Sequence, residues 1–244
     1  FLFSTSFEQY EDFYVVPQIS IFGEKLDTNT TASSQLRKQD GNYFDTDIEY
    51  SLIKDKRNQK FQPTEGYRYS FVQKIPVISD GSTFVHGLDA SSYYTFNENF
   101  IGAFRIYSRA ANAFSSEDDV RISERIYIPS KYLRGFEYGK IGPKDAGDYV
   151  GGNYAAAASA SVSMPNAFSA FQNTELSWFF DAGSVWAVDY NTTLPESSTL
   201  RTSVGVAVDW LTPVGPFTFS YAEALSKDDT DETESIRFNI GTTF

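Results

Sequence analysis

The 244-residue chain lacks cysteine and contains a single methionine and a single histidine. Without cysteine it can form neither a disulfide framework nor a thiolate metal site, and it has no cysteine nucleophile. Its only histidine, His86, would have to serve any Ser-His-Asp catalysis, but no Gly-x-Ser-x-Gly sequence is present to hold the serine. We therefore expect a protein that is not an enzyme and that uses no metal and no cofactor.

Positive charge is also scarce, since 20 Lys and Arg residues face 32 Asp and Glu residues and give a net charge of −12. Phosphate backbones require clustered Lys and Arg, so we expect no nucleic-acid partner. The mean hydropathy is −0.35, and no run approaches the ~20 apolar residues of a transmembrane helix. These values do not exclude a membrane β-barrel, because its strands alternate apolar and polar residues.

The chain is rich in aromatic residues, with 22 Phe and 16 Tyr, and they recur with a period of two. In the segment 235–244, Ile236, Phe238 and Ile240 fall on one face and polar residues fall on the other. Three further segments, 43–52, 174–183 and 201–211, alternate in the same way. This period is typical of β-strands that have one apolar and one polar face.

Twelve strands can be placed by this pattern, at 1–10, 13–25, 30–38, 42–55, 66–78, 82–97, 99–109, 150–164, 173–187, 200–211, 216–226 and 234–244. Several reach the ~10 residues that a tilted strand needs to cross a bilayer. Short turns and long polar loops follow each other in strict turn along the C-terminal two thirds, which is typical of a membrane meander. We predict an all-β fold, an antiparallel transmembrane β-barrel. A soluble β-sandwich or a lipocalin-like barrel is the alternative.

Three acidic residues, Asp45, Asp47 and Glu49, share the polar face of the predicted strand 42–55. Such a group could be a metal or acid cluster. Acids on the inner face of a barrel strand more often line a hydrated interior. We therefore interpret these residues as part of a polar lumen.

Five segments, in matching order and spacing, resemble the C-terminal barrel of the BamA family of Gram-negative outer-membrane protein assembly factors. They are "YLRGFEYGKIGPKD" (132–145), "DYVGGNYAAAAS" (148–159), "SWFFDAGSVW" (177–186), "WLTPVGPFTFSYA" (210–222) and "FNIGTTF" (238–244). A sixth, "DKRNQKFQPTEGY" (55–67), extends the resemblance to most of the chain. Related secretion transporters share the Arg-Gly-Phe motif, but the Gly-Pro-Lys-Asp and Gly-Gly-Asn segments favour the assembly factors.

The family's barrels have 16 strands and are preceded by POTRA domains. The resemblance therefore implies that residues 1–244 are one barrel domain without its first strands and without POTRA domains. The opening "FLFSTSF" is strand-like and shows no signal peptide, which fits an N-terminus that has been cut. The alternative is that twelve strands close on themselves, which an even number allows.

The resemblance implies that a long loop, about 110–149, folds into the barrel and docks on its wall through Arg134, Gly135 and Phe136. An arginine is costly to bury unless a carboxylate receives its guanidinium. Asp181, on the polar face of its strand, is the expected partner. The family often places a second acid on the preceding strand, where this chain has Ser161, and Glu175 is the alternative source of that acid.

The resemblance also implies a lateral seam at the last strand, where client strands would add by β-augmentation. The seam residues are Ile236, Phe238, Ile240, Gly241 and Phe244. The implied function is the insertion of client β-barrels into the outer membrane of a Gram-negative bacterium. A passive outer-membrane pore or a secretion transporter of the same superfamily is the alternative. Expected partners are unfolded outer-membrane proteins, accessory lipoproteins reached through POTRA domains, and a bilayer with outer-leaflet lipopolysaccharide.

Overall fold

The structure is a computed structural model that describes residues 1–81, 83–115, 118–165, 167–168, 173–194, 198–213 and 215–241. The elements assigned there are β1 (Leu2–Ser4), β2 (Phe7–Tyr10), β3 (Phe13–Leu26), α1 (Ser34–Arg37), β4 (Gly41–Asp55), β5 (Gly66–Ser79), β6 (Thr83–Asn97), β7 (Phe100–Ala113), β8 (Gly135–Phe136), β9 (Lys144–Asp145), β10 (Asp148–Tyr149), β11 (Tyr154–Pro165), β12 (Thr174–Trp186), β13 (Arg201–Thr212), β14 (Gly215–Ser226), β15 (Thr233–Glu234) and β16 (Ile236–Ile240). A 3₁₀ turn occupies Ile122–Glu124. Within these ranges, neither helical segment has the length or the hydropathy to span a membrane.

Twelve strands form one antiparallel sheet in the order β1-β3-β4-β5-β6-β7-β11-β12-β13-β14-β16, with β2 also paired to β3. The predicted all-β antiparallel fold is confirmed. Among the described residues, β1 and β16 do not pair with each other, so the sheet is open. An open antiparallel sheet of this size is consistent with part of a barrel, and within the described residues the twelve strands do not close on themselves.

The number of strands in the main sheet agrees with the prediction, but one predicted strand is wrong. The segment 30–38 contains α1, because Ser33 caps the helix by accepting a 3.1 Å hydrogen bond from the Leu36 N–H. The segment 1–10 supplies the additional strand, since it forms both β1 and β2, and each pairs with β3. The first strands carried the weakest alternation, and capping chemistry outweighed it.

The sheet has an apolar face and a polar face, as the alternation predicts. On β12, the Trp178 and Phe180 side chains are nearly half exposed, whereas Phe179 and Asp181 are buried on the opposite face. The same division holds on β16, where Ile236 and Phe238 are exposed. In a membrane barrel the apolar face meets lipid and the polar face lines the interior.

The connections fall at two ends of the sheet. The end we call the loop end carries the connections 27–40, 114–153, 187–200 and 227–235 and the tight turn between β5 and β6. The opposite end carries the turns after β2, β6, β11 and β13. From β6 onward, short and long connections alternate between the ends as expected. The connection 56–65 departs from this pattern, because it is long and lies at the turn end, where the Thr95 hydroxyl donates to the Thr64 carbonyl.

The main apolar core lies between the long connection 114–153 and the polar face of the sheet. Leu133, Phe136 and Ile141 from the connection pack there with Ala157 and Val185 from β11 and β12. A smaller core at the loop end joins Ala32, Leu36 and Tyr190. The connection is therefore held in place by packing as well as by the polar contacts described next.

Candidate functional site

Arg134 lies in the middle of the long connection and reaches the polar face of β12. Its Nε donates to Asp181 Oδ2 at 2.8 Å and its Nη2 donates to Asp181 Oδ1 at 2.7 Å, which makes a two-pronged ion pair. The Arg134 backbone N–H also donates to Asp181 Oδ2, at 3.0 Å. Parallel bonds of this kind fix the orientation of a guanidinium as well as its position.

Three further residues complete what we call the Asp181 anchor (Arg134, Asp181, Ser159, Phe179 and Ser203). Arg134 Nη2 donates to the Ser159 hydroxyl at 3.0 Å, and the guanidinium carbon lies 3.3 Å from the centre of the Phe179 ring. The Ser203 hydroxyl donates to the Arg134 carbonyl. The Asp181 side chain is fully buried and that of Arg134 is 12% exposed. A buried charge pair needs this number of partners to offset its loss of hydration.

Gly135 and Phe136 follow Arg134 against the same wall. Gly135 has a φ of +86°, and a Cβ built on it would lie 3.2 Å from the Cβ atoms of Ser203 and Ala222. A residue with a side chain would therefore meet both backbone strain and a close contact. The Phe136 side chain is 2% exposed and belongs to the main core. The structure thus brings Arg134, Gly135, Phe136 and Asp181 together.

Among the described residues, Arg134 forms an ion pair with Asp181 alone, so the alternative source, Glu175, supplies no second acid. Ser161 lies opposite Phe179, whereas Ser159 lies opposite Asp181 and is the residue that meets Arg134. Glu175 is six residues from Asp181 along β12, which is about 20 Å in a strand. The register between β11 and β12 singles out Ser159, and sequence alone does not give that register.

A second set of ion pairs holds an earlier part of the long connection against β4 and β5. Arg121 Nη2 lies 2.5 Å from Asp45 Oδ2, and Lys74 Nζ lies 2.6 Å from Glu124 Oε1 and 3.3 Å from Asp47 Oδ2. We call these five residues the Asp45 anchor. Asp45 and Asp47 are 1% and 2% exposed. We expected them to line a hydrated lumen, but the structure buries them beneath the connection.

Further contacts lie between the two anchors. Arg125 pairs with Asp189 in the neighbouring loop-end connection, and the Tyr132 hydroxyl donates to Asp89 Oδ1 at 3.1 Å. Burial alone would raise the pKa of Asp189. Hydrogen bonds from the Val120 N–H and the Asn153 amide, each 2.9 Å long, and a bond from Arg125 outweigh burial, so the pKa lies below its ordinary value. Asp189 is therefore an ionised partner of the connection.

The predicted seam residues lie on β16, at one edge of the sheet. β16 pairs with β14 alone among the described strands, with Phe238 opposite Phe219. Ile236, Phe238 and Ile240 point to the apolar face and are more than half exposed. Gly241 follows with a φ of +109°, and its N–H donates to the Pro216 carbonyl. Phe244 lies outside the described residues.

His86 lies on β6, with its ring 5.6 Å from the Phe84 ring. Its strand parity is that of Leu88 and Tyr94, which are exposed on the apolar face. The anchors described above lie on the opposite face. The histidine thus points away from the polar groups of the candidate site.

Comparison with known proteins adds a family. The model of the Omp85 superfamily domain matches residues 4–244. The outer membrane protein assembly factor BamA of Neorickettsia risticii is 26% identical over 227 residues, which cover 91% of this chain and 30% of that protein. BamA of Neisseria meningitidis serogroup B is 38% identical over 140 residues, covering 46% and 17%. The chain therefore spans less than a third of the length of these curated relatives.

A solved structure shares the fold. BamA from Haemophilus ducreyi lacking POTRA domains 1–3 superposes with a TM-score of 0.82 and 24% identity, and the match covers 97% of this chain and 52% of that one. At this identity the similarity shows the fold alone, and the fold is the antiparallel β-barrel fold of that structure. Since the family model covers nearly the whole chain, this protein belongs to the Omp85 superfamily.

Proposed function

We propose that the protein is an outer-membrane protein assembly factor and that its last strand, β16, is the strand to which client strands add. The observation that carries the proposal is the state of this edge. β16 has five residues, whereas β14 has twelve. Among the described strands, β16 pairs with β14 alone, so the backbone groups on the other side of β16 are unpaired there. Such an edge is a template for an incoming strand.

The protein is located in the outer membrane, and lipid covers the apolar face of the sheet there. The chain spans under a third of its curated relatives, so we propose that further strands complete the barrel beside β1 and that the seam lies between them and β16. An open edge in lipid costs several kcal/mol for each unpaired group. β16 bears that cost when the seam opens, and a client strand relieves it by pairing there.

We further propose that the connection 114–153 fills the interior of the completed barrel. The two anchors and the core around Phe136 hold it on the polar face. A filled interior fits an assembly factor better than a passive pore, because a pore needs an open channel. Clients in this proposal are unfolded outer-membrane proteins. Accessory lipoproteins and lipopolysaccharide are further proposed partners, and no catalytic step is assigned to the chain.

A photo-cross-linking experiment tests the proposed edge. A photoreactive phenylalanine analogue replaces Phe238 on β16 in the protein in outer membranes, and a client barrel is expressed at the same time. Phe180 on β12 is the matched control, because it is also a phenylalanine on the apolar face with nearly half of its surface exposed. We expect client adducts at position 238 and none above background at position 180, since β16 is at an edge whereas β12 is paired on both sides.

Equal adducts at both positions would mean that clients touch the apolar face without pairing at the seam. Adducts at neither position, with client assembly intact, would remove β16 from the mechanism. Either result overturns the proposed function.

A further inference from the structure

The tip of the long connection pairs with the segment that leads into the last strand. β8 and β15 form an antiparallel pair in which Phe136 lies opposite Thr233 and Gly135 lies opposite Glu234. The pairing continues beyond the strands, because the Glu137 N–H donates to the Glu232 carbonyl at 3.0 Å. Residues that dock the connection are thus hydrogen-bonded to residues just before β16.

Arg237, the second residue of β16, ties these two segments together. Its Nε donates to Glu234 Oε2 at 2.8 Å, and its Nη2 donates to the Phe136 carbonyl at 3.1 Å. One side chain therefore spans the docked tip, β15 and the last strand. The Arg237 side chain is 15% exposed, so its bonds compete little with water.

This arrangement shortens the last strand. In the β14–β16 register, Tyr221 lies opposite Ile236, and the Ala222 N–H donates to the Ser235 carbonyl at 2.8 Å. Continuing the same register would place Glu223 opposite Glu234 and Ala224 opposite Thr233. Those residues of β14 keep their partners on β13, but β15 has left the sheet edge to pair with β8.

Charge opposes the longer pairing. Glu223 points to the apolar face beside Tyr221, so the continued register would set two carboxylates directly across from each other. Like charges in that position destabilise a strand pair. In the structure, Glu234 instead binds the Arg237 guanidinium. The docked tip offers residues 233–234 a better partner than β14 does.

We propose that docking of the Arg-Gly-Phe tip and the length of the β14–β16 pairing are coupled, with Arg237 as the positioning residue that keeps the last strand short. While the tip is docked, residues 233–234 pair with β8 and β16 is held over five residues. When the tip leaves, these residues lose that partner and pair with β14. The inference rests on the proposed function, because it describes the regulation of the same seam.

Disulfide trapping tests this coupling, and the chain has no cysteine of its own to interfere. The reporter pair is Ala224→Cys with Thr233→Cys, which lie opposite each other only in the longer register. The control pair is Phe219→Cys with Phe238→Cys, which lie opposite each other in the structure. Cysteines opposite each other in an antiparallel pair satisfy the distance that a disulfide needs.

The reporter pair is compared in the parent, in Arg237→Gln and in Asp181→Asn, with the whole protein in membranes. We expect the disulfide yield of the reporter to rise about tenfold in both variants, the factor that about 1.4 kcal/mol gives at 25 °C. The yield of the control pair stays constant. Arg237→Lys keeps the charge but cannot span Glu234 and Phe136 together, so its yield falls between the parent and Arg237→Gln.

An unchanged reporter yield in Arg237→Gln overturns the coupling. If that variant fails to fold, Asp181→Asn decides the question in the same way, because it loosens the tip without altering Arg237, Glu234 or Glu223. The outcome is separable from the proposed function. If the reporter yield rises while position 238 gives no client adducts, the coupling stands and the proposed function is wrong. If position 238 gives client adducts while the reporter yield is unchanged, the proposed function stands and the coupling is wrong.

Discussion

The two anchors of the long connection differ in how completely their charges are matched. In the Asp181 anchor, one arginine meets one carboxylate in a two-pronged pair, and Ser159 and Phe179 occupy the rest of the guanidinium. In the Asp45 anchor, two cations serve three carboxylates, and Glu24 approaches Arg121 as a fourth at 3.3 Å. The first anchor specifies one geometry, whereas the second distributes its charge over several.

Individual atoms show the same difference. Within the described part of the protein, Arg121 Nη1 and Glu124 Oε2 are buried without a hydrogen-bond partner, and Asp47 Oδ2 has only the Lys74 ammonium nearby. Buried polar atoms without partners cost free energy. A loop fixed firmly at one anchor and more loosely at the other can therefore shift at the Asp45 side while Arg134 stays in place.

Removing the carboxylate of the Asp181 anchor should have the largest effect on stability, and it tests whether this anchor is the firmer of the two. Asp181→Ala leaves Arg134 without its buried carboxylate, and breaking such a pair costs about 3–5 kcal/mol. We expect the free energy of unfolding, measured by urea titration with heat-modifiable gel mobility, to fall by that amount. Trypsin should then cleave after Arg134, which the folded wall protects.

A charge swap separates the ion pair from general packing. Arg134→Glu should impair both barrel stability and client assembly, because it sets two acids against each other. Adding Asp181→Arg to the same chain should restore part of the loss. A double variant no better than either single variant would show that the contact between these two side chains is not what holds the tip.

The Asp181 anchor could be predicted largely from sequence, whereas the Asp45 anchor could not. The family resemblance implied that the Arg-Gly-Phe tip docks on the barrel wall, and the strand parity of Asp181 then indicated which carboxylate receives Arg134. Arg121 and Asp45 are 76 residues apart in the chain. Nothing in their local sequence distinguishes them from other charged residues of the long connection and of β4.

The sheet could be predicted from the alternation of apolar and polar residues, but some of its details depend on contacts that alternation does not reveal. Alternation over ten or more residues, as in β12 and β13, leaves little choice of structure. The segment around Ser33 was misassigned because a single capping hydrogen bond, which alternation does not register, decided it. The link between β8 and β15 depends on the path of two loops, and no periodic pattern encodes that path.

The Asp45 anchor should be less sensitive to the loss of its carboxylate. Asp45→Asn keeps the side-chain volume, and Glu24 remains 3.3 Å from Arg121 Nε as a second carboxylate. We expect a loss of about 1–3 kcal/mol in the same urea titration, the cost of leaving buried polar groups unsatisfied. A loss equal to that of Asp181→Ala would mean that the two anchors are equivalent.

Two glycine substitutions test how closely the backbone at Gly135 approaches the sheet at the Asp181 anchor. Gly135 and Gly147 both have a positive φ, but only the Cβ of an alanine at 135 would press on Ser203 and Ala222. Gly147→Ala should cost about 1–2 kcal/mol, the price of the backbone conformation alone. Gly135→Ala should cost more, and equal losses would show that the wall yields at this point.

The smallest expected effect concerns pH and the contact of Asp189 between the two anchors. The pKa of this carboxyl is lowered in the folded protein, since the Val120 N–H, Asn153 and Arg125 bind its charged form and outweigh burial. A lowered pKa contributes stability above the unfolded value, near 3.9, that is lost as the pH falls through the folded value. Protection of the connection from an acid-active protease such as pepsin should thus decline below about pH 4.

Asp189→Asn should be less protected at neutral pH and should flatten that decline, while Asp229→Asn, which removes an exposed loop carboxylate, leaves the profile unchanged. An unaltered acid profile in Asp189→Asn would show that the Arg125–Asp189 contact does not hold the connection.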